Sequence, residues 1–317
     1  MNIVYIGSGE FGLECLNGLA RSDNHLPLIV TQKPQPAGRH RKPTPTPVAR
    51  WAAANSTPCL ETDNVNAPDV IEKIAYHRPD LLVVIAFGRK ISADLINLPT
   101  NGAVNVHASL LPKYRGAAPI NWAILNGETE TGISIITLAD TIDTGSIVSR
   151  QTTEIYPDET AALLHDRLAK MAEPLLLSTI QAIACGSAVY TTQDHSRATL
   201  APKLKKSDGF LDFSDSAVSL QRKIRAFWPW PGAAALYLSA ESGQTQRVTI
   251  AMAHVVETSN PAGLSPGTLD PNLCVICGQD ALRMTSIRPA GGVVMSFDDF
   301  INGRDVQPGD AFVTITT

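Results

Sequence analysis

The sequence predicts an α/β protein in two parts: a domain built on an open parallel sheet, followed by a small, mostly-β domain. Three observations carry this. Short apolar or β-branched runs alternate with helical stretches through the first half of the chain. A polar, basic stretch over 187–208 interrupts that pattern, and short β-prone runs spaced by Gly, Pro and Asn turns follow it. At 317 residues there is room for two domains, each with its own core.

The strands expected first are 2–6, 26–32, 81–86 and 103–107, with helices near 10–20, 45–55 and 67–77 between several of them. Strands joined through helices pair in parallel by right-handed crossovers. Such strands are covered on both faces, which explains their unbroken hydrophobicity. A helix near 117–126, strands at 131–138 and 146–155, and a long helix near 159–184 complete a first domain over 1–186. The interval 187–207, with Arg197, Lys203, Lys205 and Lys206, suits a surface connector. The second domain, 208–317, opens with a helix near 214–226. It continues with β-prone runs near 233–239, 246–257, 266–269, 273–277, 281–288 and 293–296, a pattern of the kind that closes into a barrel.

Composition narrows the function. A net charge of −4 argues against indiscriminate nucleic-acid binding. The start, MNIVYIGSGEFG, has no basic leader, and Gly7, Ser8, Gly9 and Glu10 break its apolar run, so a cytoplasmic protein is expected. Five scattered cysteines do not make a disulfide framework. Cys274-Val-Ile-Cys277 lacks the two further ligands a zinc site needs and reads as part of a strand, so no metal is expected.

Two segments suggest chemistry. Gly7-Ser-Gly9-Glu-Phe-Gly12 directly follows the first strand and has the spacing of a dinucleotide-binding turn, which would make the protein an NAD(P)-dependent oxidoreductase. That fingerprint needs an acid at the end of the second strand to hold the ribose, and the residues there are Val30-Thr31-Gln32-Lys33. The plainer reading is that the glycines let the strand turn tightly into its helix. The more informative segment is Asn105-Val-His107-Ala-Ser109-Leu110-Leu111-Pro112-Lys-Tyr-Arg115-Gly116. Strand alternation points Asn105 and His107 to one side, toward the carboxyl end, where open α/β sheets bind ligands. A carboxamide there can donate to a developing oxyanion, and an imidazole can move a proton. Asp143, in Asp140-Thr-Ile-Asp143-Thr-Gly145, precedes a turn and can reach back to orient the imidazole. Each residue alone also has an ordinary structural role; Asp before Thr-Gly is a good turn former.

Together, NVHASLLPKYRGAAPINWAI, NGETETGISI and DTIDTGSI closely resemble the folate-dependent formyltransferases, and the likeness extends over almost the whole chain. It implies a Rossmann-like formyltransferase domain followed by an OB-like domain. It also implies (6R)-10-formyltetrahydrofolate as formyl donor and the α-amine of methionyl-initiator tRNA as acceptor. By motif match, Asn105, His107 and Asp143 are the catalytic set, and Ser109, Leu110, Leu111 and Pro112 lie at the folate. No metal is required, no membrane is involved, and a monomer is expected. Relatives that share this set formylate glycinamide ribonucleotide or nucleotide sugars, or give the formyl group to water, and they remain alternatives here.

The acceptor leaves a trace of its own. From Asn24 to Leu60 there is no Asp or Glu, while Lys33, Arg39, Arg41, Lys42 and Arg50 bring positive charge. Pro34, Pro36, Pro43, Pro45 and Pro47 keep this arm extended. Such an arm suits the phosphates of an RNA stem; a solvated surface loop is the alternative. Residues 207–317 hold seven Lys or Arg against eleven Asp or Glu, which argues against the second domain as an RNA clamp. Trp228 and Trp230, between prolines, are expected to pack rather than stack on bases.

Overall fold

The computed structural model describes residues 1–37, 42–260 and 263–316. They form two compact units. One comprises residues 1–119, 130–154 and 165–202; the other comprises 120–129, 155–164 and the chain from 203 onward. The second unit thus takes in two segments that precede residue 186.

In the first unit, β1 (Asn2–Gly7) leads through one 3₁₀ turn into α1 (Leu13–Arg21) and then β2 (His25–Gln32). The basic arm follows as an antiparallel hairpin, β3 (Gln35–Ala37) with β4 (Lys42–Thr44). It ends where α2 (Pro47–Ala54) begins, because the Thr46 hydroxyl accepts the Ala49 N–H and Pro47 occupies the first helical position. Next come β5 (Cys59–Thr62), α3 (Pro68–Tyr76), β6 (Leu81–Ile85), α4 (Ala93–Ile96) and β7 (Ala103–His107). A two-residue strand, β8 (Arg115–Gly116), precedes α5 (Pro119–Leu125), all but the first residue of which belongs to the second unit. The strands β9 (Glu130–Thr137) and β10 (Ile147–Glu154), helix α6 (Ala161–Ala184) and the short β11 (Leu200–Ala201) complete the series.

The main sheet has the order β10-β9-β7-β6-β1-β2-β5. Five strands from β7 to β5 are parallel, as expected, but β9 runs antiparallel to β7 and β10 antiparallel to β9. The open parallel sheet predicted from sequence is therefore mostly parallel, with an antiparallel edge. The segment between β9 and β10 contains no helix, and neighbouring strands joined without a crossover pair antiparallel. Val4, Ile6, Leu28, Val30, Leu82 and Val84 form one buried face with Val70 and Ile74 of α3, while Ile3, Tyr5, Ile29, Leu81, Val83 and Ile85 alternate to the other. Burial on both faces is what their continuous hydrophobicity implies.

The second unit is centred on α7 (Ala217–Phe227), which buries Ala217, Leu220 and Ile224 against β12 (Ala233–Leu238) and β13 (Thr245–Val256). After these come β14 (Val275–Ile276), β15 (Ala281–Pro289), β16 (Met295–Ser296), α8 (Phe297–Arg304) and β17 (Ala311–Val313). The order β14-β15-β13-β12-β17 is antiparallel throughout. Bridges from Thr268 to Ala311 and from Leu269 to Val275 join the two edges, which makes the sheet a nearly closed, OB-like barrel. Cys274 and Cys277 flank β14 and are buried. Trp230 is 55% exposed rather than packed, and the Arg288 guanidinium lies 5.3 Å from the Trp228 ring centre. Among the described residues no helix is long and apolar enough to cross a membrane.

Candidate active site

The glycine motif lies between β1 and β6, the point where the strand order reverses and where open sheets bind ligands. Its backbone is already used. The N–H groups of Ser8 and Gly9 donate to the Ala86 carbonyl at 3.3 and 3.2 Å, so they are turned away from any pyrophosphate. A Cβ on Gly12 would sit 1.9 Å from the Tyr5 hydroxyl, and one on Gly7 would sit 2.7 Å from the same ring. These glycines leave room for the buried Tyr5 side chain. Gly9 and Gly12 have ordinary negative φ, so close approach requires them rather than a special turn conformation.

His107 is the last residue of β7 and only 6% exposed; Asn105 lies two residues earlier, half-buried. The 138–146 loop leaves β9 level with Val104 and folds back along β7, bringing Asp143 to both. Asp143 Oδ1 accepts from Asn105 Nδ2 at 3.4 Å, and Asp143 Oδ2 lies 3.6 Å from His107 Nδ1. The Gly116 N–H donates to the same Oδ2 at 2.8 Å. On its other side His107 Nε2 meets the Tyr114 carbonyl at 2.9 Å. A carbonyl can only accept, so Nε2 carries a hydrogen and Nδ1 is the nitrogen presented to the carboxylate. Gly116 has φ +126° and lies so close to β11 that a Cβ would meet the Ala201 carbonyl at 2.6 Å, so no other residue fits there.

The 109–112 segment turns away from β7 and is held by its own contacts. The Ser109 hydroxyl donates to the Lys113 carbonyl at 2.7 Å, and the Ser134 hydroxyl bridges it to the next turn by donating to the Ser109 carbonyl and accepting from the Leu111 N–H. Ser109 and Leu111 are fully buried, whereas Leu110 and Pro112 are partly exposed. Of the basic arm, Arg39 and Arg41 lie outside the described residues. Lys42 is exposed on β4. Lys33 pairs with Asp63 at 2.8 Å, a hydrogen bond and charge that hold its ammonium above the usual range. Arg50 lies on α2, not in the extended arm, and donates to the Pro45 carbonyl at 2.8 Å. Among the described residues there is no cluster of three or more His, Cys, Asp or Glu that could hold a metal.

Sequence reasoning missed the groups that fix the histidine and the carboxylate. The Tyr114 carbonyl and the Gly116 N–H are backbone atoms, and Gln193, 4% exposed, grips the Asp143 turn from a segment read as a surface connector.

A family model described as formyl transferase matches residues 1–180, and one described as formyl transferase, C-terminal domain, matches residues 203–305. The chain belongs to the formyl transferase family. It is 36% identical to a methionyl-tRNA formyltransferase of Legionella pneumophila, over 97% of this chain and 96% of that one. It is 37% identical to a methionyl-tRNA formyltransferase of Nitrosococcus oceani, over 98% and 96%. Among solved structures, an N-formyltransferase from Helicobacter canadensis in complex with folinic acid and dTDP-3-aminofucose shares the fold, with TM-score 0.63 and 15% identity over 90% of this chain and 99% of that one. HypX from Aquifex aeolicus in complex with tetrahydrofolic acid matches with TM-score 0.62 and 16% identity, over 97% of this chain and 48% of that one.

Proposed function

We propose that this protein transfers the formyl group of (6R)-10-formyltetrahydrofolate to the α-amine of methionyl-initiator tRNA, acting as a cytoplasmic monomer. The observation that carries the reading is the convergence of Asn105 and His107 on the Asp143 carboxylate at the end of a parallel strand. Identity of 36–37% to methionyl-tRNA formyltransferases over nearly the full chain supports the acceptor. The same reading divides the chain into a catalytic domain over 1–186, a connector over 187–207 and a second domain from 208. The two family models, ending at 180 and beginning at 203, support that division.

The donor set suits acyl transfer. The bound formyl donor supplies the activated acyl carbon. Asn105 uses one amide N–H toward Asp143 and keeps a second for an oxygen on which negative charge develops. The attacking α-amine, with a reference pKa of about 8, is partly neutral near pH 7 and needs no strong base. It must still lose a proton, while the departing nitrogen gains one. His107 is placed to carry that proton at Nδ1, the nitrogen left available by the Tyr114 carbonyl. Asp143 orients the ring. Their 3.6 Å separation exceeds a hydrogen bond, so Nδ1 is not committed to the carboxylate and exchanges that proton with the substrates, directly or through one water. The partly exposed Leu110 and Pro112 present apolar surface to the folate, and Ser109 and Leu111 fix the turn beneath them.

The test is a formyl-transfer assay with three arms: charged initiator tRNA, glycinamide ribonucleotide and no acceptor. Efficient transfer to the charged tRNA alone is the expected result. Preference for the small amine, or rapid release of formate without an acceptor, would overturn the acceptor assignment.

A further inference from the structure

We infer that Gln193 is a positioning residue for the reaction, and that residues 191–201 form a strap fixing both hydrogen-bond anchors of the His107–Asp143 pair. The inference rests on the proposed catalytic reading of that pair.

The Asp143 carboxylate needs its backbone held. Asp143 has φ +57°, in the left-handed region that few residues besides glycine, Asn and Asp adopt, so contacts that hold its backbone there matter. Gln193 makes such contacts from 50 residues along the chain. Its Nε2 donates to the Asp143 carbonyl and to the Gly145 carbonyl, both at 2.8 Å, which uses both amide hydrogens on the turn. Its Oε1 accepts from Arg115 Nε at 3.2 Å and Nη2 at 2.6 Å. Two carbonyls on one side and a guanidinium on the other allow only one orientation of the amide. At 4% exposure the group has little water to substitute for any of these bonds.

The other anchor is held by the same strap. The Thr199 hydroxyl accepts the Tyr114 N–H at 2.8 Å, and the Thr199 carbonyl accepts the Arg115 N–H at 2.9 Å. Tyr114, at φ +63°, supplies the carbonyl that takes His107 Nε2. Gly116, whose N–H holds the carboxylate, is paired to Ala201 through β8 and β11. The 191–201 segment therefore fixes the imidazole at one nitrogen and the carboxylate at its turn. Its side chains set their distance without touching the reacting atoms.

Replacing Gln193 by Met keeps the length and removes the donors and the acceptor. We expect kcat for formyl transfer to charged tRNA to fall about 10- to 100-fold, the scale of a misplacement of about 1 Å. The KM values for formyl-folate and tRNA should stay within about two-fold, measured per folded enzyme. The distinguishing readout is a double-mutant cycle with Asp143→Asn. Because Gln193 acts through Asp143, Gln193→Met added to Asp143→Asn should change kcat by less than about two-fold. Multiplicative losses would mean Gln193 is merely structural and overturn the inference, as would a Gln193→Met enzyme with normal kcat beside a crippled Asp143→Asn enzyme. Wild-type kcat in Asp143→Asn itself would instead overturn the catalytic reading on which the inference depends.

Discussion

Tyr5 is fully buried, and its hydroxyl is one of two buried side-chain polar atoms without a hydrogen-bond partner among the described residues. An unsatisfied buried hydroxyl costs about 1–3 kcal/mol. Tyr5→Phe should therefore raise stability by about 1 kcal/mol, read as a higher denaturant midpoint at unchanged slope. Gly12→Ala should destabilise by about 2 kcal/mol or more, because its Cβ meets the Tyr5 hydroxyl. In the Tyr5→Phe background the hydroxyl is gone and the next neighbours are the ring Cζ at 3.2 Å and Ile85 Cβ at 3.3 Å, so the same substitution should cost much less. Equal costs in both backgrounds would show that the glycine serves something other than the phenol. Removing the Asn105 amide with Asn105→Ala should lower kcat by about two to three orders of magnitude, the usual loss for one oxyanion donor. At this scale the meeting of Asn105, His107 and Asp143 was legible, because two-residue alternation and a turn-forming Asp are properties of the letters, while the catalytic role proposed for them came with the motif match. The Tyr114 carbonyl and Gly116 N–H carry no side-chain signal, and Gln193 is brought to its site only by the tertiary fold.

The basic arm is an element whose charges are not equivalent. Lys33 is already paired with Asp63, whereas Lys42 is exposed and Arg50 is braced on the Pro45 carbonyl at the arm's base. Lys42→Ala and Arg50→Ala should each raise the KM for charged tRNA and flatten its salt dependence by about one unit per lost phosphate contact. Lys33→Ala should do less, and formyl-folate binding should not change. Identical salt slopes in all variants would make the arm a solvated loop. In the barrel, Asp310 joins β17 to β12 by accepting from the Tyr237 hydroxyl and from the Ala240 and Gln307 N–H groups. Burial pushes its carboxyl up, but these hydrogen bonds outweigh that and hold it below the usual carboxylate range. Its stabilisation is thus present above the unfolded value of about 3.9 and is lost as pH falls through the lower folded value. Asp310→Asn should remove that part of the acid-induced loss of stability. The long strands were readable from hydrophobic runs. Helix α8 escaped because its sequence, FDDFINGR, is mostly polar; the Ser296 cap with Asp299 three residues on was its available signal. β5 has four residues and one strongly apolar side chain, too little for a pattern to register.

Over the whole molecule, the alternation of strands and helices pointed to the sheet domain and the change of pattern near residue 200 to a small β domain, with its OB-like form implied by the family resemblance; the antiparallel edge β9–β10 was not foreseen, because no hydrophobic run records pairing direction. The proposed formyl transfer depends on one histidine in this frame, His107. The most direct measurement is the rate of formyl transfer to charged initiator tRNA by His107→Ala beside the wild type, with both substrates saturating. Loss of the proton carrier should lower turnover by about two to four orders of magnitude while the KM for formyl-folate stays close to the wild-type value. Turnover near the wild-type rate in that variant would contradict the account and leave His107 a structural residue clamped between Tyr114 and Asp143.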